Sequence, residues 1–365
     1  MKKLNLFLLF FLCLFVVWSQ SDTSQIIQNR DTDDFWKSFD DSPRNNRARV
    51  VFYNVENLFD TEKDSIAADE SYTPEGSNRW TKYRYWKKIG NLSKVIVAVG
   101  GWDLPEIVGL CEIENRRVLV DLTRSQALND GNYGIVHYDS PDRRGIDVAM
   151  IYRKDRFRVI HSEPVLVNFP EEPTSKTRDI LYVNGVFPFS DDTLHVFVNH
   201  WPSRYGGYAA TISKRNRAAE ILRNKVDSLY NVNVNARILI MGDLNDYPSD
   251  ESLVKFLRAL PNGESAQKRD VINLMYPIHK EGKYGSHKYQ DHWGILDQII
   301  VSEALFNNKT GLRVHQQKAH IFRAPFLLEK DETYLGYKVF RTFAGFRYLG
   351  GFADHLPVFT DIIDE

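Results

Sequence analysis

Six short runs of apolar and β-branched residues recur along this chain, and most of them run straight into, or open on, a residue that a hydrophobic core does not accept unpaired. They are RVVFYN (49–54), EIVGLCE (106–112), DVAMIYR (147–153), TLHVFVNH (193–200), ARILIMGD (236–243) and DQIIVS (297–302). Runs of this length and composition predict strands, most of them buried on both faces. Between them, Tyr85, Ile89, Leu92, Ile96 and Val99 recur at spacings of four and three, and KRNRAAEILRNKVDSLY (214–230) repeats an amphipathic rhythm, which predicts two helices. A third helix is expected after PSDESL, capped by Ser249 or Asp250. Strands alternate with helices in part and cluster in part, which predicts an α/β layered sandwich rather than a strict βαβ barrel. With 365 residues, 43% of them hydrophobic, the chain can bury a large core. The charged, aromatic stretch 261–294 is expected to form surface loops over one end of the sheets.

Residues 1–20, MKKLNLFLLFFLCLFVVWSQ, place Lys2 and Lys3 before an uncharged apolar run and then Ser19 and Gln20. That is the pattern of a cleavable export signal, cut near Ser19 or Gln20. An uncleaved anchor is the rival reading, since the run falls just short of the roughly 18 residues of a membrane span. Bulky residues before Cys13 argue against lipidation there. Cleavage leaves Cys111 as the single thiol of a periplasmic or extracellular chain, so no intramolecular disulfide forms and the core carries the stability. It also takes the formal charge from −1 to −3, because two lysines leave and no acid does. A chain that binds nucleic acid by bulk charge is strongly basic, so any phosphate recognition here is local. Residues 21–47 are polar and without a sustained period, as in a linker or N-terminal arm, and precede a domain at 48–365. The mature chain is expected to have no transmembrane segment and no stable protein partner, and to act as a monomer.

The residues at the strand ends suggest what the domain does. Asn54 and Glu56 follow the first run, Glu112 and Glu114 the second, His200 a third, and Asp243 and Asn245 a fourth. Asp297 opens DQIIVS, and Asp354 with His355 precedes LPVFTDI. A carboxylate or imidazole at the end of a buried strand costs desolvation unless it is paired or bound to a cation. One such case is ordinary helix capping or a satisfied histidine; several together point to one shared site. Oxygen donors with few nitrogens and no thiolate suit a hard cation, Mg²⁺ or Mn²⁺, before Zn²⁺.

In order, NVENLFD, LCEIEN, NHWPSR, GDLND, LDQIIVS and ADHLPVF resemble the motifs of the endonuclease/exonuclease/phosphatase superfamily, over about residues 48–362. The resemblance implies a four-layer α/β/β/α sandwich of two packed, mainly antiparallel sheets flanked by helices, with a metal site where strand ends converge. It implies Glu112 as principal metal ligand with Asn54 and Asp354 near the same ion. Glu56, implied as a further metal ligand, stands where some relatives have Asp, a change of one methylene that shifts a second metal position. Asp243 matches the residue that orients or deprotonates the attacking water, and Asn245 the one that holds a phosphoryl oxygen. His355 with Asp297 matches the family's His–Asp pair, and His200 its second histidine. Asp147 either orients His200 or is a plain turn aspartate. Arg178 and Arg204 are candidates for phosphate contact, since guanidinium forks match phosphate oxygens, or else form ordinary ion pairs. Glu114 and Asp246 read as turn or helix-start residues.

The expected activity is that of a secreted phosphodiesterase using Mg²⁺, with Mn²⁺ or Ca²⁺ as substitutes, most simply an endonuclease on DNA or RNA. WTKYRYWKK (80–88) and YGSHKYQDHWG (284–294) offer stacking faces beside basic groups, or else amphipathic packing. Tyr205, Gly206, Gly207 and Tyr208 suggest a flexible lip on the site. The alternatives are a phosphatase or a sphingomyelinase-like phospholipid phosphodiesterase, and, in another class, an inactive binding module on the same fold. The chain shows no amphipathic basic helix of a lipid-surface enzyme.

Overall fold

Two seven-stranded sheets organise the chain. The computed structural model describes residues 39–44, 46–64, 68–261 and 265–364, so the expected export signal (1–20) and most of the expected arm (21–47) lie outside the described residues. Eight strands carry most of the two sheets: β1 (Arg47–Leu58), β2 (Ile107–Ile113), β3 (Tyr133–His137), β4 (Asp147–Arg153), β5 (Arg158–Val165), β6 (Ile180–Val186), β7 (Thr193–His200) and β8 (Arg237–Asp243). The first sheet runs Leu312–Val314, Val358–Asp364, β1, β2, β4, β3, with His320–Ile321 pairing beside Val358–Asp364. The second runs β5, β6, β7, β8, Asp297–Ser302, Val271–Asn273, Ala259–Leu260. Pairing is antiparallel except β1 with β2, β7 with β8, and the short Val271–Asn273 with Ala259–Leu260.

The sheets pack face to face, β1 and β2 against β8, and β4 against β7. Their near-continuous apolar sequence is what burial on both faces demands. The helix Lys82–Gly100 is capped by Thr81, whose side chain accepts from the Arg84 amide, and buries Tyr85, Ile89, Leu92, Ile96 and Val99, the predicted face. It stops at Gly101, whose φ of 73° suits glycine. The helix Tyr208–Val232 covers the second sheet: Ala218, Ala219, Leu222 and Val226 share a core with Phe197, Ile238 and Ile240. Each fully buried Leu or Val there contributes about 1.5–3 kcal/mol, and Leu222→Ala would cost about 2–5 kcal/mol.

Three expectations need correction. The helix after PSDESL is a single wide turn, Ser252–Phe256; the Asp250 carboxylate accepts from the Tyr247 amide instead of capping a helix. The stretch 261–294 is not all loop: it holds the strand Val271–Asn273, the helix Tyr276–Glu281 and a hairpin of His287–Tyr289 with His292–Gly294. Ordered chain also begins before residue 48. Arg44 is buried, donates to the Gly100 carbonyl and pairs with Glu106, whose carboxylate also takes the Arg49 amide. Arg49 in turn forms a two-pronged pair with Asp361, at 2.8 and 2.9 Å, which ties the first strand to the last. No helix among the described residues is long and apolar enough to cross a membrane.

Candidate active site

The two long parallel pairs set the position of the site. Because β1 runs with β2 and β7 with β8, the C-terminal ends of each pair fall at the same edge of their sheet. His200 lies opposite Asp243, and Asp243 opposite Asp297, so three site residues share one row across three strands. Gly242 makes that row possible, since a Cβ there would stand 2.5 Å from the Asn199 carbonyl oxygen and 2.6 Å from its Cβ.

In the first sheet the ladder breaks after Asn54 and again after Cys111. Glu56, Asn57 and Glu112 take φ of 52°, 57° and 63°, and Asn245, just past the end of β8, takes 51°. Left-handed backbone at residues other than glycine costs of order 1–3 kcal/mol each, and it persists where neighbours hold it. Here the Asn57 amide donates to Glu112 Oε2 at 2.9 Å, and the Glu56 amide to Asn54 Oδ1 at 3.0 Å. Bulges of this kind re-aim a side chain at the end of a strand.

The contacts cross between the sheets. Asn54 Nδ2 donates to Asp243 Oδ2 at 3.1 Å, and Asn245 N to Asp243 Oδ1 at 3.0 Å. His200 Nε2 lies 3.9 Å from Glu112 Oε1 and 3.7 Å from Asp243 Oδ2. His355 Nε2 lies 3.8 Å from Asp243 Oδ2, while its Nδ1 meets Asp297 Oδ2 at 2.7 Å. Burial alone would hold the His355 imidazole neutral, but the carboxylates of Asp297 and Asp243 outweigh it and raise its pKa well above the usual value. Burial pushes Asp243 up to about 6, with Asp297 adding and His355 opposing. His200 is driven the other way, neutral through burial and the nearby Arg178, Arg144 and His355 charges. Asp354 is kept low despite burial by His355 and Arg341. Burial and the same acidic surroundings leave the Cys111 thiol protonated.

Of the residues expected at the site, Asn54, Glu112, His200, Asp243, Asn245, Asp297 and His355 are linked by these contacts, and Asp354 joins them beside His355. Four of the expected residues make other contacts. Asp147 does not orient His200: its Oδ2 meets His137 Nε2 at 3.0 Å and its Oδ1 accepts from Ser140, while His200 Nδ1 has no partner among the described residues. Arg178 is buried and spends its guanidinium on the His200 and Trp201 carbonyls and on Asp142. Arg204 braces the loop after β8 through the Asn245 carbonyl, Asp246 and Asp250, stacked on Tyr208 and Tyr247. Glu56 is committed to protein donors: its oxygens accept from the Thr342 and Phe343 amides and from Arg341 Nε, with Lys88 Nζ at 4.0 Å. The extra methylene relative to Asp carries this carboxylate to the 341–343 segment.

Sequence reasoning missed three neighbours. His287, from a stretch read for its aromatics, packs against His355 with ring centroids 4.6 Å apart and the rings tilted by 36°. Lys88, read as part of a basic run, is fully buried, and Arg341 lies in no motif. Its contacts with Glu56, hundreds of residues away in the chain, and with Asp354 bring Arg341 to the site.

The fold is shared with a humanized D. rerio TDP2 (15% identity, TM-score 0.53, covering 87% of this chain and 99% of that one) and with the human nocturnin catalytic domain (17%, 0.53, 87% and 95%). It is shared also with an endonuclease/exonuclease/phosphatase family protein from Bacteroides thetaiotaomicron (15%, 0.51, 87% and 95%). No curated protein matches the chain. A model of the Endonuclease/Exonuclease/phosphatase family matches residues 49–363, and the chain belongs to that family. Its members are usually hydrolases acting on phosphoric esters.

Proposed function

We propose that the chain is an exported, divalent-metal-dependent phosphodiesterase that hydrolyses DNA or RNA. The observation that carries the reading is the Asp297–His355–Asp243–His200 array, drawn from the ends of several strands and facing Glu112 and Asn54 at one edge of both sheets.

Glu112, Asn54 and Asp354 would hold the metal. They offer only oxygen donors, Asp354 is kept ionised, and the nearby Cys111 thiol is protonated, which fits Mg²⁺, or Mn²⁺ or Ca²⁺ in its place. A divalent cation bound there would draw charge from the phosphoryl oxygens. The protein's own groups do the rest. Asp243, raised to about 6, is largely ionised at neutral pH yet close enough to it to take a proton from an attacking water. His355, held as an imidazolium by Asp297 and Asp243, donates from Nε2 to a non-bridging oxygen as charge builds there. The second amide hydrogen of Asn245 is available for the same task, since Nδ2 spends one on the Trp201 carbonyl. His200, neutral, adds a donor or acceptor without adding charge.

Tyr205, 92% exposed shortly after His200 in the chain, and Tyr289, 68% exposed in the His287 hairpin, offer stacking faces for bases. They favour nucleic acid over a lipid head group. The test is the mature chain from residue 21 on plasmid DNA, total RNA and sphingomyelin, each with Mg²⁺, Mn²⁺ or EDTA. Cleavage of a nucleic acid that EDTA abolishes is expected. Intact nucleic acid with released phosphocholine would move the function to lipids.

A further inference from the structure

We propose that Arg341 is the substrate-recognition arginine of this site, binding a non-bridging phosphoryl oxygen of the substrate. The inference rests on the phosphoester reading above and names a contact that the family motifs in this chain do not include.

Arg341 Nε donates to Glu56 Oε1 at 3.2 Å and Nη2 to Asp354 Oδ2 at 2.8 Å, so the guanidinium spans two acids of the site. Its Nη1 has no protein acceptor among the described residues. The side chain is 41% exposed, whereas the groups that fix it are sealed: Glu56 is 4% exposed and Lys88 1%. Beneath it, Glu56 takes the Thr342 amide at 2.6 Å, and Lys88 Nζ donates to Thr342 Oγ1 at 2.5 Å and to the Phe352 carbonyl at 2.6 Å. A desolvated Lys–Glu pair is a poor way to stabilise a fold, and well-packed apolar residues often do as well or better. Its product here is one arginine held at fixed height beside Asp354, with an edge open to solvent. A guanidinium fork matches phosphate oxygens, and the two other arginines suited by sequence, Arg178 and Arg204, are engaged elsewhere. Glu56 and Lys88 are therefore positioning residues.

The experiment compares wild type, Arg341→Ala, Arg341→Lys and Glu56→Gln. Two readouts are taken: calorimetric affinity for inorganic phosphate, which needs no turnover, and KM and kcat for bis(4-nitrophenyl) phosphate with Mg²⁺. Arg341→Ala is expected to weaken phosphate binding and raise KM by about tenfold to a hundredfold, the span of a charge-assisted hydrogen bond. Added guanidinium ion restores part of both, Arg341→Lys falls between, and Glu56→Gln raises KM without rescue. Should Arg341→Ala fold poorly, Arg341→Lys decides, since it keeps the charge and loses the fork. Phosphate affinity and KM within about twofold of wild type in a folded variant, or a wild type that binds no phosphate, would overturn the assignment. A wild type that binds phosphate through Arg341 but hydrolyses no ester would instead overturn the proposed function alone.

Discussion

Replacing Asp297 by Asn tests the core of the chemistry with the smallest change of shape. Asp297 is sealed from solvent, its amide takes part in the strand edge through Ser286 Oγ at 3.2 Å, and its Oδ2 meets His355 Nδ1 at 2.7 Å. Asn fills the same volume but removes the charge. Loss of a hydrogen bond to a charged group costs about 1.5–3 kcal/mol, or roughly tenfold to a hundredfold in an equilibrium. A donor that acts only as charge develops is worth about a hundredfold or more in rate, so kcat/KM should fall by about 10²–10³-fold. The pH profile carries the sharper signature. With its folded pKa raised, His355 is an imidazolium at neutral pH, and its contribution is lost as pH rises through that pKa. Without Asp297 that pKa falls, so the basic limb of the profile should move to lower pH. The assay is the rate on bis(4-nitrophenyl) phosphate from pH 5 to 10, with circular dichroism to confirm the fold. A folded variant with wild-type kcat/KM and an unmoved basic limb would refute the His–Asp assignment.

Other outcomes follow from the same structure. Gly242→Ala has no room beside the Asn199 backbone, so it should destabilise the protein by about 1–3 kcal/mol in urea titration and lower activity by displacing Asp243. Asp361→Ala removes the carboxylate partner of the buried Arg49 and should cost about 3–5 kcal/mol with little change in KM. Asp147→Asn, bonded to His137 and Ser140 rather than to His200, should lower the melting temperature while kcat stays within about threefold; a loss as large as that of the charge-assisted contacts would restore it to the site. His195, pushed down to about 4 by burial and Lys225, binds a proton less readily folded than unfolded. Its contribution to stability is present above pH 6.5 and lost as pH falls towards 4, with a slope of at most about 1.4 kcal/mol per pH unit. His195→Gln should therefore flatten urea stability over that window, and an unchanged slope would contradict the shift.

The readable part of this protein is the part dictated by burial. The runs at 49–54, 106–112, 147–153, 193–200, 236–243 and 297–302 all fall in strands, because buried β-strands need continuous apolar sequence. Their polar ends converge because the parallel pairs force it. The edge strand β5, RVIHSEPV, was not legible, since none of its residues is fully buried and it mixes charge with apolar residues. The same holds for contacts made by long side chains between distant segments. Arg178 and Arg204 have the right chemistry for phosphate, yet a guanidinium satisfies backbone carbonyls equally well, and only the fold decides which it meets. Lys88 reads as one charge in a solvated run until Glu56 is placed above it. Asp147 sits on the strand next to β2, but its strand's hairpin partner supplies His137 first.

The most direct test of the central claim is the initial rate of plasmid cleavage, titrated with Mg²⁺ from EDTA-treated protein, for wild type and Glu112→Gln side by side. A metal-dependent phosphodiester site built on Glu112 predicts no cleavage without Mg²⁺, saturation as it is restored, and a rate lower by about a hundredfold or more in the folded Glu112→Gln variant. Cleavage that persists in EDTA, or a variant that matches wild type at every Mg²⁺ concentration, would contradict it.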